Sequence, residues 1–154
     1  MPESAVTGGC QCGAVRYRIT APLENPHICH CRMCQKAYGN YFAALFATRT
    51  DGLQWTRGKP SFFRSSALAQ RGFCRDCGTP LLIADDGSDH VDMSIATLDH
   101  PEAVTPAHQY GIEGRLPAFA LLHTLPGSRT EDDIPPEKMK RLKSLQHPDH
   151  ETGA

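Results

Sequence analysis

With 154 residues the chain has the length of one domain, since domains cluster near ~100–150 residues and a chain of ~150 can bury roughly 68–70% of its unfolded surface. Lys and Arg number 16 against 17 Asp and Glu, a net charge of -1, which excludes a nucleic-acid binder carried by bulk positive charge and an acidic tail protein. A hydrophobic content of 40% with 21% charged residues excludes the composition of a disordered chain.

The start, Met1 to Gly9, has neither a basic cluster nor an apolar stretch, so no signal peptide is expected and Met1 to Thr7 should fray. Residues 14–20 set Val15, Tyr17 and Ile19 against Arg16, Arg18 and Thr20, the period-2 pattern of a half-buried strand. Arg32 to Tyr38 predicts two helical turns. Further strands are expected at 42–48, 53–57, 61–66, 69–74, 79–84, 90–97 and 108–112, many bounded by turn signals such as Asp51-Gly52, Gly58-Lys59-Pro60, Asp85-Asp86-Gly87 and His100-Pro101. The longest apolar run, Tyr41 to Ala47, is strand-sized, so no membrane segment is expected and the chain reads as cytosolic. Short strands at this spacing predict a mainly β domain of small antiparallel sheets. Phe62, Phe63 and Phe73 read as core, whereas Tyr38, Tyr41, Phe42 and Trp55 are candidates for an apolar wall. After residue 126 an extension is expected, with a helix about 135–146: Pro135-Pro136 and Glu137 open it, cations follow, and Met139, Leu142 and Leu145 form one apolar stripe. Residues 147–154 should fray.

The 7 cysteines fall into three groups: Cys10-Gln11-Cys12-Gly13, Cys29-His30-Cys31-Arg32-Met33-Cys34, and Cys74-Arg75-Asp76-Cys77-Gly78. Cytosolic thiols stay reduced, so such clusters read as metal ligands or catalytic groups rather than disulfides. Two groups end on Gly, which suits a metal knuckle where the turn needs positive φ. A closed tetrahedral zinc takes four ligands, and an open one takes three from the protein. The economical partition joins Cys10, Cys12, Cys74 and Cys77 as a closed site and leaves Cys29, Cys31 and Cys34 as an open one. A zinc ribbon of Cys31 and Cys34 with Cys74 and Cys77 satisfies the same spacing. A thioredoxin-like dithiol role for either Cys-x-x-Cys needs a βαβ context that this strand-rich chain lacks.

The Gly9-Cys10-x-Cys12-Gly13-x-Val15-x-Tyr17 start, the Cys29-His30-Cys31-x-x-Cys34 cluster and the Phe73-Cys74-x-x-Cys77-Gly78 knuckle together resemble the glutathione-dependent formaldehyde-activating enzyme family, which also contains the domain of centromere protein V. The resemblance spans roughly residues 8–126 and extends weakly to His108 and Arg115-Leu116-Pro117. The chain departs from the pattern at Ala118, where an aromatic residue is common, and at Leu125-Pro126-Gly127. The resemblance implies a zinc-bound fold of small coiled β-sheets of the β-tent type. It also implies two zinc ions: a structural one on Cys10, Cys12, Cys74 and Cys77, and a catalytic one on Cys29, Cys31 and Cys34. The reaction it implies is condensation of formaldehyde with glutathione to S-hydroxymethylglutathione, a carbon–sulfur lyase reaction in reverse.

At such an open site the ion and three thiolates sum to -1, a weak Lewis acid that still holds a fourth thiol as thiolate. The expectation is therefore that a glutathione thiolate attacks the carbonyl carbon, with His30 placed to shuttle the proton. Glutathione carries two carboxylates, for which Arg32, Lys36 and Arg115 are the candidate partners. No nucleic-acid or membrane partner is expected, and the oligomeric state is left open. Two other readings remain: an enzyme of the same fold acting on a different thiol or carbonyl, and a zinc-stabilised binding module without catalysis.

Overall fold

The computed structural model describes residues 5–153. Among the described residues, ten strands form two sheets. β1 (Val6–Gly9), β2 (Arg16–Ile19) and β5 (Leu53–Arg57) make a three-stranded antiparallel sheet in the order β1-β2-β5. The other strands are β3 (Glu24–Cys29), β4 (Ala43–Arg49), β6 (Ser61–Arg64), β7 (Ala69–Phe73), β8 (Pro80–Asp85), β9 (His90–Ser94) and β10 (His108–Tyr110). They form a seven-stranded sheet in the order β10-β3-β4-β9-β8-β7-β6, antiparallel except for the parallel β10–β3 edge pair. The architecture is mainly β, as the sequence predicts, and every strand expected from periodicity has a counterpart.

β1 and β3 carry no such periodicity. β1 ends on Gly8-Gly9, where the backbone must run against Tyr17 and Arg16, and its Val6 and Thr7 were expected to fray. β3 contains Pro26, which cannot donate to a ladder. The register shifts between Glu24 and His27, and Asn25 sits at φ 43°, so the proline falls within an irregularity that needs no N–H from it.

The larger core lies between the two sheets. Tyr17 and Ile19 from β2 meet Phe46 of β4, Leu82 of β8 and Met93 of β9, with Cys10 and Cys74 in the same cluster. Trp55 packs edge-on against Tyr17 at 6.0 Å, in this core and not at an apolar wall of a site. The expected strand pattern holds for Val15, Tyr17, Ile19, Arg18 and Thr20, but Arg16 is buried rather than solvent-facing. Its guanidinium makes a two-pronged ion pair with Asp99, at 2.8 and 2.6 Å, and the Thr7 hydroxyl donates to the same carboxylate.

The opposite face of the large sheet carries Cys29, Ala43 and Leu45 under α1 (Arg32–Tyr38), which ends at Gly39 in the left-handed region. Beyond the sheets, 3₁₀ turns lead to α2 (Thr130–Asp133) and α3 (Pro136–Arg141). The helix expected over 135–146 thus stops at Arg141. Leu142 is 57% and Leu145 86% exposed, so no apolar stripe docks to hold further turns, and a helix this short is marginal without packing. Residues 147–153 are tied to the domain instead: His147 N–H donates to the Gln11 carbonyl, and Arg57 donates to Thr152 and Gly153. Phe62 and Phe63, expected in the core, are 45% and 47% exposed, because β6 is the edge of its sheet and has no layer over it.

Candidate metal centres

The first cluster joins two tight turns from distant parts of the chain. Cys10 and Cys12 sit on the β1–β2 turn, Cys74 and Cys77 on the β7–β8 turn, and all four sulfurs lie within 4.8 Å of one another. Gly13 and Gly78 close the turns at φ 78° and 79°, the left-handed conformation their motifs require. Each glycine N–H donates back to the first cysteine's carbonyl, Gly13 to Cys10 and Gly78 to Cys74. Thr79 locks the turns together: its hydroxyl accepts from Gln11 N–H at 3.1 Å and lies 3.1 Å from Cys77 Sγ. Val15 N–H donates to Cys10 Sγ at 3.2 Å. Sulfur–sulfur distances of 3.6 Å (Cys10–Cys12) and 3.8 Å (Cys12–Cys74) match the donor set of a tetrahedral ion. Zn–S bonds of ~2.3 Å set sulfurs roughly 3.8 Å apart.

The second cluster is local. Cys29 ends β3, Cys31 caps α1 by accepting the Cys34 N–H at 3.4 Å, and Cys34 lies in the helix's first turn. The three sulfurs lie within 4.8 Å, and among the described residues no further His, Cys, Asp or Glu joins them. Cys31 and Cys34 are grouped with Cys29 rather than with Cys74 and Cys77, so the zinc-ribbon pairing that spacing permitted is not formed. Both clusters can hold a metal ion.

Arg71 of β7 is the charged neighbour of the second cluster, its Nη2 donating to Cys34 Sγ at 3.4 Å from a side chain buried at 6% exposure. The Cys29 hydrogen bond and Arg71 together bring the Cys34 thiol down to about 5 against the opposing effect of burial. The same bond to Cys34, with burial, pushes Cys29 up.

A segment following β10 roofs this cluster. His30 N–H donates to the Tyr110 carbonyl, and the buried Gln35 amide donates to the carbonyls of both His30 and Gly114, each at 2.9 Å. A side chain at Gly114 would approach the His30 carbonyl to 2.8 Å, so glycine is what lets the roof close. His30 is fully buried. Its Nε2 lies 2.9 Å from Gln109 Oε1, which only accepts, so Nε2 donates to it, and Nδ1 has no partner. Phe119 and Phe42 stand edge-on around the ring at 4.7 and 6.2 Å.

Of the residues named for substrate carboxylates, Arg32 and Lys36 are exposed on one face of α1 and line a cavity of about 450 Å³ with Asn40, Tyr41 and Leu116. Arg115 is exposed, donates to Gln109 Oε1 at 3.4 Å and does not line that cavity. Tyr38 faces the other side of α1, where it lines a cavity of about 180 Å³ with Phe63, Arg71, Phe73 and Pro80. Ser94 donates to the Pro80 carbonyl, so the Tyr38 hydroxyl donates to Ser94 Oγ at 2.8 Å. His108 is exposed on β10. Sequence reasoning missed Arg71, Gln35, Gln109 and Phe119. Arg71 alone left a signal, an arginine between Ala69 and Phe73 in a predicted strand.

A family model for the glutathione-dependent formaldehyde-activating enzymes matches residues 5–112, which hold both cysteine clusters and Arg71. The chain belongs to this family. An uncharacterized lyase of Schizosaccharomyces pombe is 33% identical over 86 residues, covering 54% of this chain and 59% of that protein. A protein of Phaeosphaeria nodorum provisionally named a glutathione-dependent formaldehyde-activating enzyme is 31% identical over 74 residues, 47% of this chain and 39% of its own length. A Halomonas elongata protein with the same provisional name is 29% identical over 86 residues, 51% of this chain and 55% of its own. The chain therefore spans about half the length of these relatives. A solved protein of Rhodobacter sphaeroides shares the fold, with a TM-score of 0.55 and 22% identity over 67% of this chain and 98% of that one. Among the described residues no helix is long and apolar enough to cross a membrane.

Proposed function

We propose that this family member is a two-zinc carbon–sulfur lyase-type enzyme that condenses glutathione with formaldehyde. Cys10, Cys12, Cys74 and Cys77 hold a structural ion, and Cys29, Cys31 and Cys34 hold the reactive one. The observation carrying this reading is the contrast in donor number: four sulfurs close one cluster, and three leave the other short of a tetrahedral shell. An ion bound by the three thiolates supplies an open position that holds an incoming thiol as its thiolate.

The chain's residues supply the rest. In the condensation the sulfur–carbon bond forms, the carbonyl π bond opens, and one proton passes from thiol to the new hydroxyl. His30 holds that proton at Nδ1, the ring nitrogen without a partner, while Gln109 fixes the ring through Nε2. Arg32 and Lys36, four residues apart on α1, present two cations for the two glutathione carboxylates along the larger cavity. Gln35 holds the cluster's backbone against the roof, so the three sulfurs keep their spacing when the fourth ligand changes.

Metal analysis combined with calorimetric titration tests the proposal. Two zinc ions per chain, glutathione binding, and faster S-hydroxymethylglutathione formation are expected. The C31S variant should keep one ion and lose the thiol response. Two ions with no response to glutathione and no rate acceleration would overturn the enzyme reading in favour of a binding module.

A further inference from the structure

Arg71 is a buried cation whose charge is answered by no carboxylate. At 6% exposure it forms no ion pair with Asp or Glu among the described residues, its Nε and Nη1 have no partner, and its one acceptor is Cys34 Sγ at 3.4 Å. Burying an uncompensated guanidinium costs several kcal/mol, so a cation kept there requires an anion beside it. The nearest source of negative charge is the thiol cluster itself. With three thiolates around a divalent ion the cluster carries -1, and Arg71 brings the sum to zero.

We infer that Arg71 is a positioning residue that acts through Cys34, supplying the countercharge that lets three thiolates share one metal ion in a buried setting. This rests on the reading of Cys29, Cys31 and Cys34 as a metal site. The position has a structural logic. Arg71 lies opposite Phe63 and Ile83 in the sheet, and beside Phe63 it lines the wall of the smaller cavity.

The test compares full-length wild type, R71K and R71Q loaded with Co²⁺ in place of zinc, each titrated with a competing chelator while thiolate-to-cobalt absorption is followed. Wild type should bind two ions per chain. R71Q keeps a polar side chain without charge; it should weaken one ion by roughly ten- to a hundredfold, the usual scale for losing a partner of a ligand, and leave the other unchanged. R71K restores the charge and should recover most of that affinity. Its cobalt spectrum should shift with added thiol as the wild type's does. Equal losses in R71K and R71Q, or wild-type affinity for both ions in R71Q, would overturn the role of the charge. A wild type that binds a single ion would instead overturn the reading of the three-cysteine cluster, so the two failures are distinguishable. Thermal unfolding of each metal-loaded variant separates metal loss from misfolding: a folded R71Q with a weakened second ion supports the inference, and an R71Q whose other ion weakens equally opposes it.

Discussion

Cys10, Cys12, Cys74 and Cys77 come from two turns far apart in the chain, whereas Cys29, Cys31 and Cys34 lie within one strand-to-helix junction. The first set spans sequence: Cys12 and Cys74 are 62 residues apart, and both turns feed strands of different sheets. Its cysteines Cys10 and Cys74 belong to the larger core. The second set closes no long loop. It is surrounded instead by a buried arginine, a buried histidine whose Nδ1 has no partner, and a glycine-bearing roof. On the proposed reading the same residue type does two jobs, and the surroundings decide which. A cross-link between distant segments contributes to the stability of the whole fold, while a local cluster is free to exchange a ligand.

The strongest way to break this contrast is to remove one sulfur from each side. C74S should cost most of the folding stability, on the order of 5 kcal/mol or more, because metal binding at a closed site is folding free energy. C31S should change stability by about 1 kcal/mol or less while the second ion is lost. Thermal unfolding and metal content, measured together, check both. Comparable destabilisation by the two variants would erase the distinction.

Next in size is the Arg16–Asp99 pair, which stitches β2 to the segment after β9 beside the four-cysteine cluster. D99N leaves Arg16 buried without its partner and should cost about 3–5 kcal/mol in denaturant unfolding. Burial opposes ionisation of Asp99, but the bonds from Arg16 and Thr7 outweigh it and hold its carboxyl below the usual range. A depressed folded value means the contribution is complete above the unfolded value of ~3.9 and is lost as pH falls through the folded one. The stability difference between wild type and D99N should therefore shrink below about pH 4 and stay level above it. A difference that grew on acidification would show that the pair is not the source.

On the other side, Q35A removes both donors to the His30 and Gly114 carbonyls. A loss of about 2 kcal/mol is expected from the two buried acceptors left unsatisfied. The readout that sharpens the comparison is chelator sensitivity: one ion of the two should become labile, and the four-sulfur ion should not.

How much of this was legible beforehand follows from the range of each signal. Val15, Tyr17 and Ile19 write their burial into a two-residue period, and Cys-x-x-Cys-Gly writes its turn into five positions, so both are readable locally. The partition of cysteines followed from ligand number, and the geometry groups the sulfurs the same way. Arg16 was not legible, and Arg71 only as an arginine sharing a strand face with Ala69 and Phe73, because what makes each an interior residue is a partner elsewhere: Asp99 for one, Cys34 of α1 for the other. β3 was hidden by Pro26, whose place in an irregular register no local rule reveals. Phe62 and Phe63 misled for the reverse reason, since hydrophobicity does not say that a strand lies at a sheet edge.

The smallest expected effect concerns the C-terminal tail, which was expected to fray and instead lies across the four-cysteine turn. His147 N–H donates to the Gln11 carbonyl, and the imidazole covers Gly13, where an added Cβ would meet it at 2.3 Å. Arg57 Nη2 donates to the Thr152 carbonyl and hydroxyl, each at 3.0 Å, and Glu151 approaches Arg16 at 3.6 Å. All of these contacts fall on the four-cysteine side, and Arg57 and His147 are half-buried, so each bond is worth the modest amount usual near solvent. H147A should therefore lower stability by only about 0.5–1.5 kcal/mol. Its sharper consequence is kinetic: with the imidazole gone from over Gly13, chelator should strip the four-sulfur ion faster while the three-sulfur ion exchanges at its wild-type rate. Faster loss of both ions in H147A would mean that the two clusters communicate, and the division between a holding site and a working site would need to be redrawn.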